Sequence, residues 1–184
     1  MKKLLGRFVL FITGWKSSYP REFKVKKCVM LAAPHTSNWD LLFAMAVYWK
    51  EGIHNRFFIK NMYTKGLFGF FFKWLGAIGV DRSKNNNLVD YATELFGNYD
   101  ELVLMVPAEG TRKKVEKWKT GFYHIATKAN VPVALGFLDY KKKLAGVGGL
   151  ITLSGDFEKD MTVIQDFYKN IAAKHPELYN EKIF

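Results

Sequence analysis

One histidine and one aspartate with four residues between them carry the most chemistry in this chain. His35 and Asp40 lie in Pro34-His35-Thr36-Ser37-Asn38-Trp39-Asp40, directly after the short apolar run Cys28 to Ala33. Such a run reads as a buried strand, and Ser37 with Asp40 three residues later resembles a capping box, although Glu or Gln is usual at the second position. With Ser37 as the cap, Asp40 falls in the first helical turn and His35 on the loop leading into it. The chain reverses between them, so the carboxylate can reach the imidazole. A carboxylate on one ring nitrogen fixes the tautomer and leaves the other nitrogen as a base. Taken alone, the same residues also suit a helix cap beside an ordinary loop histidine.

Two further segments end apolar runs in charged groups. Val106-Pro107-Ala108-Glu109-Gly110-Thr111-Arg112 follows the strongest apolar run, Leu102 to Val106. Gly110 permits a sharp turn, and Arg112 offers a forked cation suited to phosphate. Gly76 to Arg82 closes with Asp81 and Arg82. Each is also compatible with a plain surface ion pair. His54, His124 and His175 lack ligand-like spacing with other His or Cys, so no metal is expected.

The elements that must position these groups alternate. Strands are expected at Cys28 to Ala33, Arg56 to Ile59, Leu102 to Val106, Val133 to Phe137 and Leu150 to Leu153. Helices are expected at Asp40 to Glu51, Asn87 to Phe96 and Lys119 to Ala129. A last helix is marked by Met161, Ile164, Phe167, Tyr168 and Ile171. This alternation predicts an α/β single domain with a largely parallel sheet flanked by helices, whose functional groups gather at the carboxyl ends of the strands. The length of 184 residues leaves room for one core of typical size. A single cysteine, Cys28, excludes an intramolecular disulfide and a cysteine-rich zinc site. The 28 Lys and Arg against 17 Asp and Glu give a formal charge of +11, which favours an anionic partner.

These motifs, in this order, resemble the PlsC-like superfamily of lysophospholipid and glycerol-phosphate acyltransferases, which includes the 1-acylglycerol-3-phosphate acyltransferases. His35 and Asp40 match its first motif, Gly76 to Arg82 its second, Glu109-Gly110-Thr111-Arg112 its third and Val131-Pro132-Val133 its fourth. The chain departs from the usual pattern at Pro34, Gly79, Ala108, Lys113 and Leu135. The resemblance implies an O-acyltransferase in which His35 is the general base, oriented by Asp40, and the acceptor hydroxyl attacks a thioester directly. It assigns Arg82, Glu109, Gly110, Thr111 and Arg112 to the acceptor's polar head. The donor it implies is acyl-CoA or acyl carrier protein and the acceptor a lyso-lipid, with no further cofactor. Both donors are anionic, in keeping with the charge. A thioester hydrolase or a non-catalytic lipid-binding protein would share the fold. A nucleic-acid-binding module would use the charge but leaves the ordered motifs unexplained, and no helix-turn-helix, RNP or zinc pattern is present.

Two apolar segments stand apart from this scheme. Residues 1–20 are expected to form an N-terminal amphipathic segment ahead of an acyltransferase domain over residues 21–184. The run from Leu4 to Trp15 is too short to span a bilayer, which takes about 20 residues, and no small-residue cleavage pattern follows it. As a helix it either lies at a membrane interface, with Lys2, Lys3 and Arg7 near headgroups, or packs on the domain's own core. The aromatic run Leu67 to Leu75 likewise reads as core or as a lipid-facing surface, with Lys60, Lys65 and Lys73 beside it. Under the lipid-facing reading the protein is peripheral on the anionic, cytoplasmic face of the cell membrane.

Overall fold

The computed structural model describes residues 1–20, 23, 25–81 and 88–184. Arg82 therefore lies outside the described residues. The elements run α1 (Lys2–Thr13), β1 (Lys16–Ser18), β2 (Lys27–Ala33), α2 (Trp39–Glu51), β3 (Asn55–Lys60), α3 (Asn61–Lys65), α4 (Gly69–Trp74) and β4 (Ala77–Val80). They continue with α5 (Leu88–Asn98), β5 (Leu102–Val106), α6 (Gly121–Ala129), β6 (Val133–Asp139), β7 (Leu144–Ile151) and α7 (Phe157–Tyr168). A 3-10 turn over Pro176–Leu178 follows.

Seven strands form one sheet in the order β1-β7-β6-β2-β5-β3-β4. Every neighbouring pair is parallel except β6 and β7, so the expected α/β architecture is the one observed. β2 sits at the centre and reads as a continuous apolar run because both of its faces are covered. Val29, Leu31 and Ala33 point into one core with α5, α6 and α7. Cys28 and Met30 point into the other, where Met45 and Tyr48 of α2 meet Phe72 and Leu75. Burial pushes the Cys28 thiol up to about 12, which leaves it protonated and inert.

The register brings three loops to one edge of the sheet. β2 pairs in parallel with β5 on one side and β6 on the other, with Leu31 opposite Val106 and Ala33 opposite Phe137. The segments after β2, β5 and β6 therefore leave together at the carboxyl edge. Two strands differ from expectation. The strand expected at Leu150–Leu153 is the end of β7, which begins at Leu144 and runs antiparallel to β6. β1 is only three residues long and has no apolar run to mark it.

α1 combines the two expectations for the N-terminus. Gly6 and Leu10 are buried against α2, and Leu10 joins Trp15, Phe43 and Val47 in a third core cluster. Its other side leaves Leu4, Leu5, Phe8, Phe11 and Ile12 exposed. Lys2 ties the start of α1 to the end of α4, donating to the Trp74 carbonyl at 2.8 Å and lying 4.6 Å from the centre of its ring.

Candidate active site

His35 sits on the loop between β2 and α2, and Asp40 in the first turn of α2. The imidazole Nδ1 lies 3.0 Å from Asp40 Oδ2, and the His35 side chain keeps 21% exposure while Asp40 is buried. The local chain explains the approach. Asp40 Oδ2 also accepts from the backbone N–H groups of Thr36 at 3.0 Å and Ser37 at 2.9 Å, which folds the loop over the carboxylate. Only half of the expected capping box forms. Asp40 reaches back to the Ser37 N–H, but Ser37 Oγ accepts from Trp39 N at 3.3 Å, and the residue at the N-cap is Asn38. Asp40 thus organises the loop as well as the ring.

Electrostatics keep this carboxylate ionised. Burial alone raises the Asp40 pKa, but the hydrogen bonds from His35, Tyr140 and Ser37 outweigh it and hold the group below its usual value. With Asp40 ionised, Nδ1 of His35 donates to it and Nε2 carries the free lone pair.

Glu109 meets the same loop from below. It is 4% exposed, and its Oε1 accepts from the His35 backbone N–H at 2.9 Å. Its Oε2 is buried with no protein hydrogen-bond partner. Burial raises its pKa, the His35 N–H offsets part of that, and the Asp40 charge adds to the rise. The third motif is thereby split. Glu109 is buried against the His35 loop, while Arg112, beyond the turn, is exposed. Gly110 makes the turn between them at a φ of 67°, its N–H donating to the Pro107 carbonyl at 3.0 Å. Thr111 Oγ1 accepts from Lys113 N at 3.3 Å.

Three neighbours of the dyad carried no signal in the sequence. Tyr140 leaves β6 one strand over from the His35 loop, and its hydroxyl donates to Asp40 Oδ1 at 2.5 Å. Thr36 Oγ1 accepts from the His175 N–H at 3.2 Å, which ties the C-terminal segment to the loop. Lys174 lies 5.3 Å from the ring centre of exposed Trp39. A lone tyrosine has no spacing to betray it. The rule that functional groups collect at strand carboxyl ends reaches Tyr140 only once β6 is seen to extend to Asp139.

Among the described residues no group of three or more His, Cys, Asp or Glu is placed to hold a metal ion. A cleft of about 220 Å³ opens at the opposite, amino edge of the sheet, lined by Lys2, Trp49, His54, Arg56 and Trp74 among others. It is separated from the dyad by the length of the strands.

A parallel-sheet domain with a His–Asp pair and a buried motif glutamate at its carboxyl edge defines an acyltransferase-type α/β domain. The Acyltransferase family model matches residues 16–134, more than half of the chain, and the protein belongs to that family. Its fold is also that of PlsC, the 1-acyl-sn-glycerophosphate (LPA) acyltransferase of Thermotoga maritima. That crystal structure superimposes with a TM-score of 0.64 over 92% of this chain and 77% of the other, at 14% identity. No curated protein matches the chain.

Proposed function

We propose that this acyltransferase moves a fatty acyl chain from a thioester donor, acyl-CoA or acyl carrier protein, to a hydroxyl of a lyso-lipid of the lysophosphatidate type. The observation that carries the reading is the 3.0 Å contact between His35 Nδ1 and an ionised Asp40. Nε2 of His35 takes the proton of the acceptor hydroxyl as its oxygen attacks the thioester carbonyl. Asp40 stabilises the imidazolium that forms. The carbon–sulfur bond then breaks, and the imidazolium returns the proton to the departing thiolate. No acyl-enzyme is required, and the sequence contains no G-x-S-x-G nucleophile elbow.

Arg112 supports a phosphate-bearing acceptor, since it is an exposed guanidinium three residues after Glu109, which holds the His35 N–H. Arg82, which the family pattern assigns to the same head, falls outside the described residues. Exposed apolar surface supports a lipid acceptor. Trp39 and Leu42, in the first turns of α2 that follow the His35 loop, are exposed, as are Leu4, Phe8 and Phe11 of α1 and Met62, Leu67 and Phe70. We place the protein at the anionic, cytoplasmic surface of the cell membrane as a peripheral enzyme, where acceptor and product reside.

The test is incubation with acyl-CoA, with and without lysophosphatidate, for the intact protein and for His35→Ala. Transfer to the lipid is expected, and His35→Ala should lower it by about 10²–10⁴-fold while remaining folded. Acyl-CoA cleavage independent of the lipid would make the protein a hydrolase. Near-normal transfer by folded His35→Ala would remove His35 from the chemistry.

A further inference from the structure

Asp40 holds its two oxygens very differently. Oδ2 receives three donors, His35 Nδ1 and the N–H groups of Thr36 and Ser37. Oδ1 receives the hydroxyl of Tyr140. We infer that Tyr140 is a positioning residue of the dyad, whose phenol holds Asp40 Oδ1 and so sets how strongly the carboxylate stabilises an imidazolium on His35.

The surroundings of Tyr140 are those of a fixed group. Its N–H donates to the Ala172 carbonyl at 2.9 Å. Its ring is met edge-on by Trp15 at 4.9 Å and by Phe43 at 6.0 Å. The turn that carries it is pinned by buried Asp139, which accepts from the Lys142 N–H at 3.0 Å and pairs with its ammonium at 3.1 Å. A ring braced by two aromatic neighbours holds its hydroxyl at one place without losing rotamer freedom in the transition state. Burial and the bond to Asp40 raise the phenol well above its usual pKa, so it remains a donor throughout the working range.

Among the described residues, few other titratable or charged groups face the pair. Glu109 approaches from the loop after β5 through the His35 N–H. Lys174 approaches from the C-terminal segment, with its ammonium 6.0 Å from the Tyr140 ring centre. His175 follows it, and its N–H is held by Thr36. Of these, Tyr140 is the side-chain donor on Oδ1. A hydrogen bond to a charged acceptor withdraws negative charge from it. Loss of the hydroxyl leaves more charge on Asp40 and strengthens its hold on an imidazolium at His35.

This inference rests on His35 being the base, and the test separates the two. In Tyr140→Phe, kcat at neutral pH is expected to fall by about tenfold with the KM of both substrates unchanged. The acid limb of the kcat/KM profile is expected to move to higher pH. Replacing Tyr140 by 3,5-difluorotyrosine, a stronger donor of the same shape, is expected to move that limb to lower pH. Opposite shifts from the two replacements do not arise from a merely structural role. An unmoved limb in folded Tyr140→Phe, a change confined to KM, or shifts of the same sign would each overturn the inference. Should Tyr140→Phe fail to fold, the fluorinated protein decides it: a downward shift supports, an unmoved limb overturns. If His35→Ala retains activity the base assignment fails instead, whatever Tyr140 does.

Discussion

Glu109 is a carboxyl group in the wrong solvent, and that has a measurable sign. Its ordinary value is 4.5, and burial raises it in the folded protein. Between those two values the folded chain holds a proton that the unfolded chain has released. Stability from this group is therefore full below about pH 4.5 and is lost as pH rises through the folded value. Asp40 acts oppositely and at lower pH, since its folded value is depressed below 3.8 and its contribution is lost on acidification. Glu109→Gln keeps an acceptor for the His35 N–H but cannot ionise. Its melting temperature is expected to fall less than wild type between pH 5 and 8, and to converge with wild type near pH 4.5. Parallel melting curves across that range would show that Glu109 is ionised in place. Acyl transfer by Glu109→Gln should survive, because the loop beneath His35 keeps its hydrogen bond. The sequence displayed His35, Asp40 and Glu109 because their types and order are distinctive. It concealed the bond from Glu109 to the His35 backbone, which depends on the parallel register of β2 and β5 across 74 residues.

At the scale of elements, what was legible follows from where apolar side chains go. β2, β5 and β6 are buried on both faces and read as unbroken apolar runs. α2, α5, α6 and α7 place apolar residues at helical spacing and stop at or near the expected ends. β7 was obscured because its sequence, Leu144-Ala145-Gly146-Val147-Gly148-Gly149-Leu150-Ile151, looks like a loop. A side chain at Gly146 would strike the Ser18 carbonyl at 1.7 Å, so the pairing with β1 requires what the eye takes for a turn. α3 and α4 were obscured for the opposite reason, since all their aromatic residues but Phe72 face outward and no amphipathic stripe is aimed at the core.

The packing of α1 on α2 gives the element-scale prediction. A Cβ on Gly6 would lie 2.4 Å from the Ala46 carbonyl oxygen and 2.9 Å from the Lys50 nitrogen, both backbone atoms that cannot give way. Gly6→Leu should therefore push α1 off α2 at a cost of about 1–3 kcal/mol in denaturant unfolding. Because Trp15 follows α1 and stacks on Phe43 at 4.3 Å beside Tyr140, transfer activity should fall as well. Phe11→Ser, at 85% exposure on the opposite side of the same helix, should leave stability unchanged. Equal stability for Gly6→Leu and wild type would mean that α1 contributes nothing by docking on α2.

The whole molecule is two-sided. α5, α6 and α7 cover one face of the sheet, and α1, α2, α3 and α4 the other. On the second side, Leu4, Phe8, Phe11 and Ile12 of α1 and Met62, Tyr63, Leu67, Phe68, Phe70, Phe71 and Trp74 are all exposed. The bond from Lys2 to Trp74 joins the two groups into one surface. Scattered single apolar residues are ordinary, but a continuous surface of this extent marks an interaction site. Its charge is of one sign. Residues 1–18 and 52–80 contain no Asp or Glu, and Lys3, Arg7, Lys60, Lys65 and Lys73 are exposed there. Among the described residues no helix is long and apolar enough to cross a membrane, and the 12 residues of α1 span about 18 Å against a hydrocarbon core of about 30 Å. Apolar side chains rimmed by cations suit an anionic bilayer surface, to which each basic group adds about 1 kcal/mol. The protein should float with anionic liposomes, and added salt should weaken that binding. Ser in place of Phe11, Phe68 and Phe70 should release it with a native circular dichroism spectrum, because all three rings are exposed, Phe70 at 75%. Phe72 is a poor choice for this experiment, since it packs against the core beneath α4. Undiminished flotation by the triple variant, or salt-insensitive binding to neutral liposomes, would show that this surface does not face a membrane.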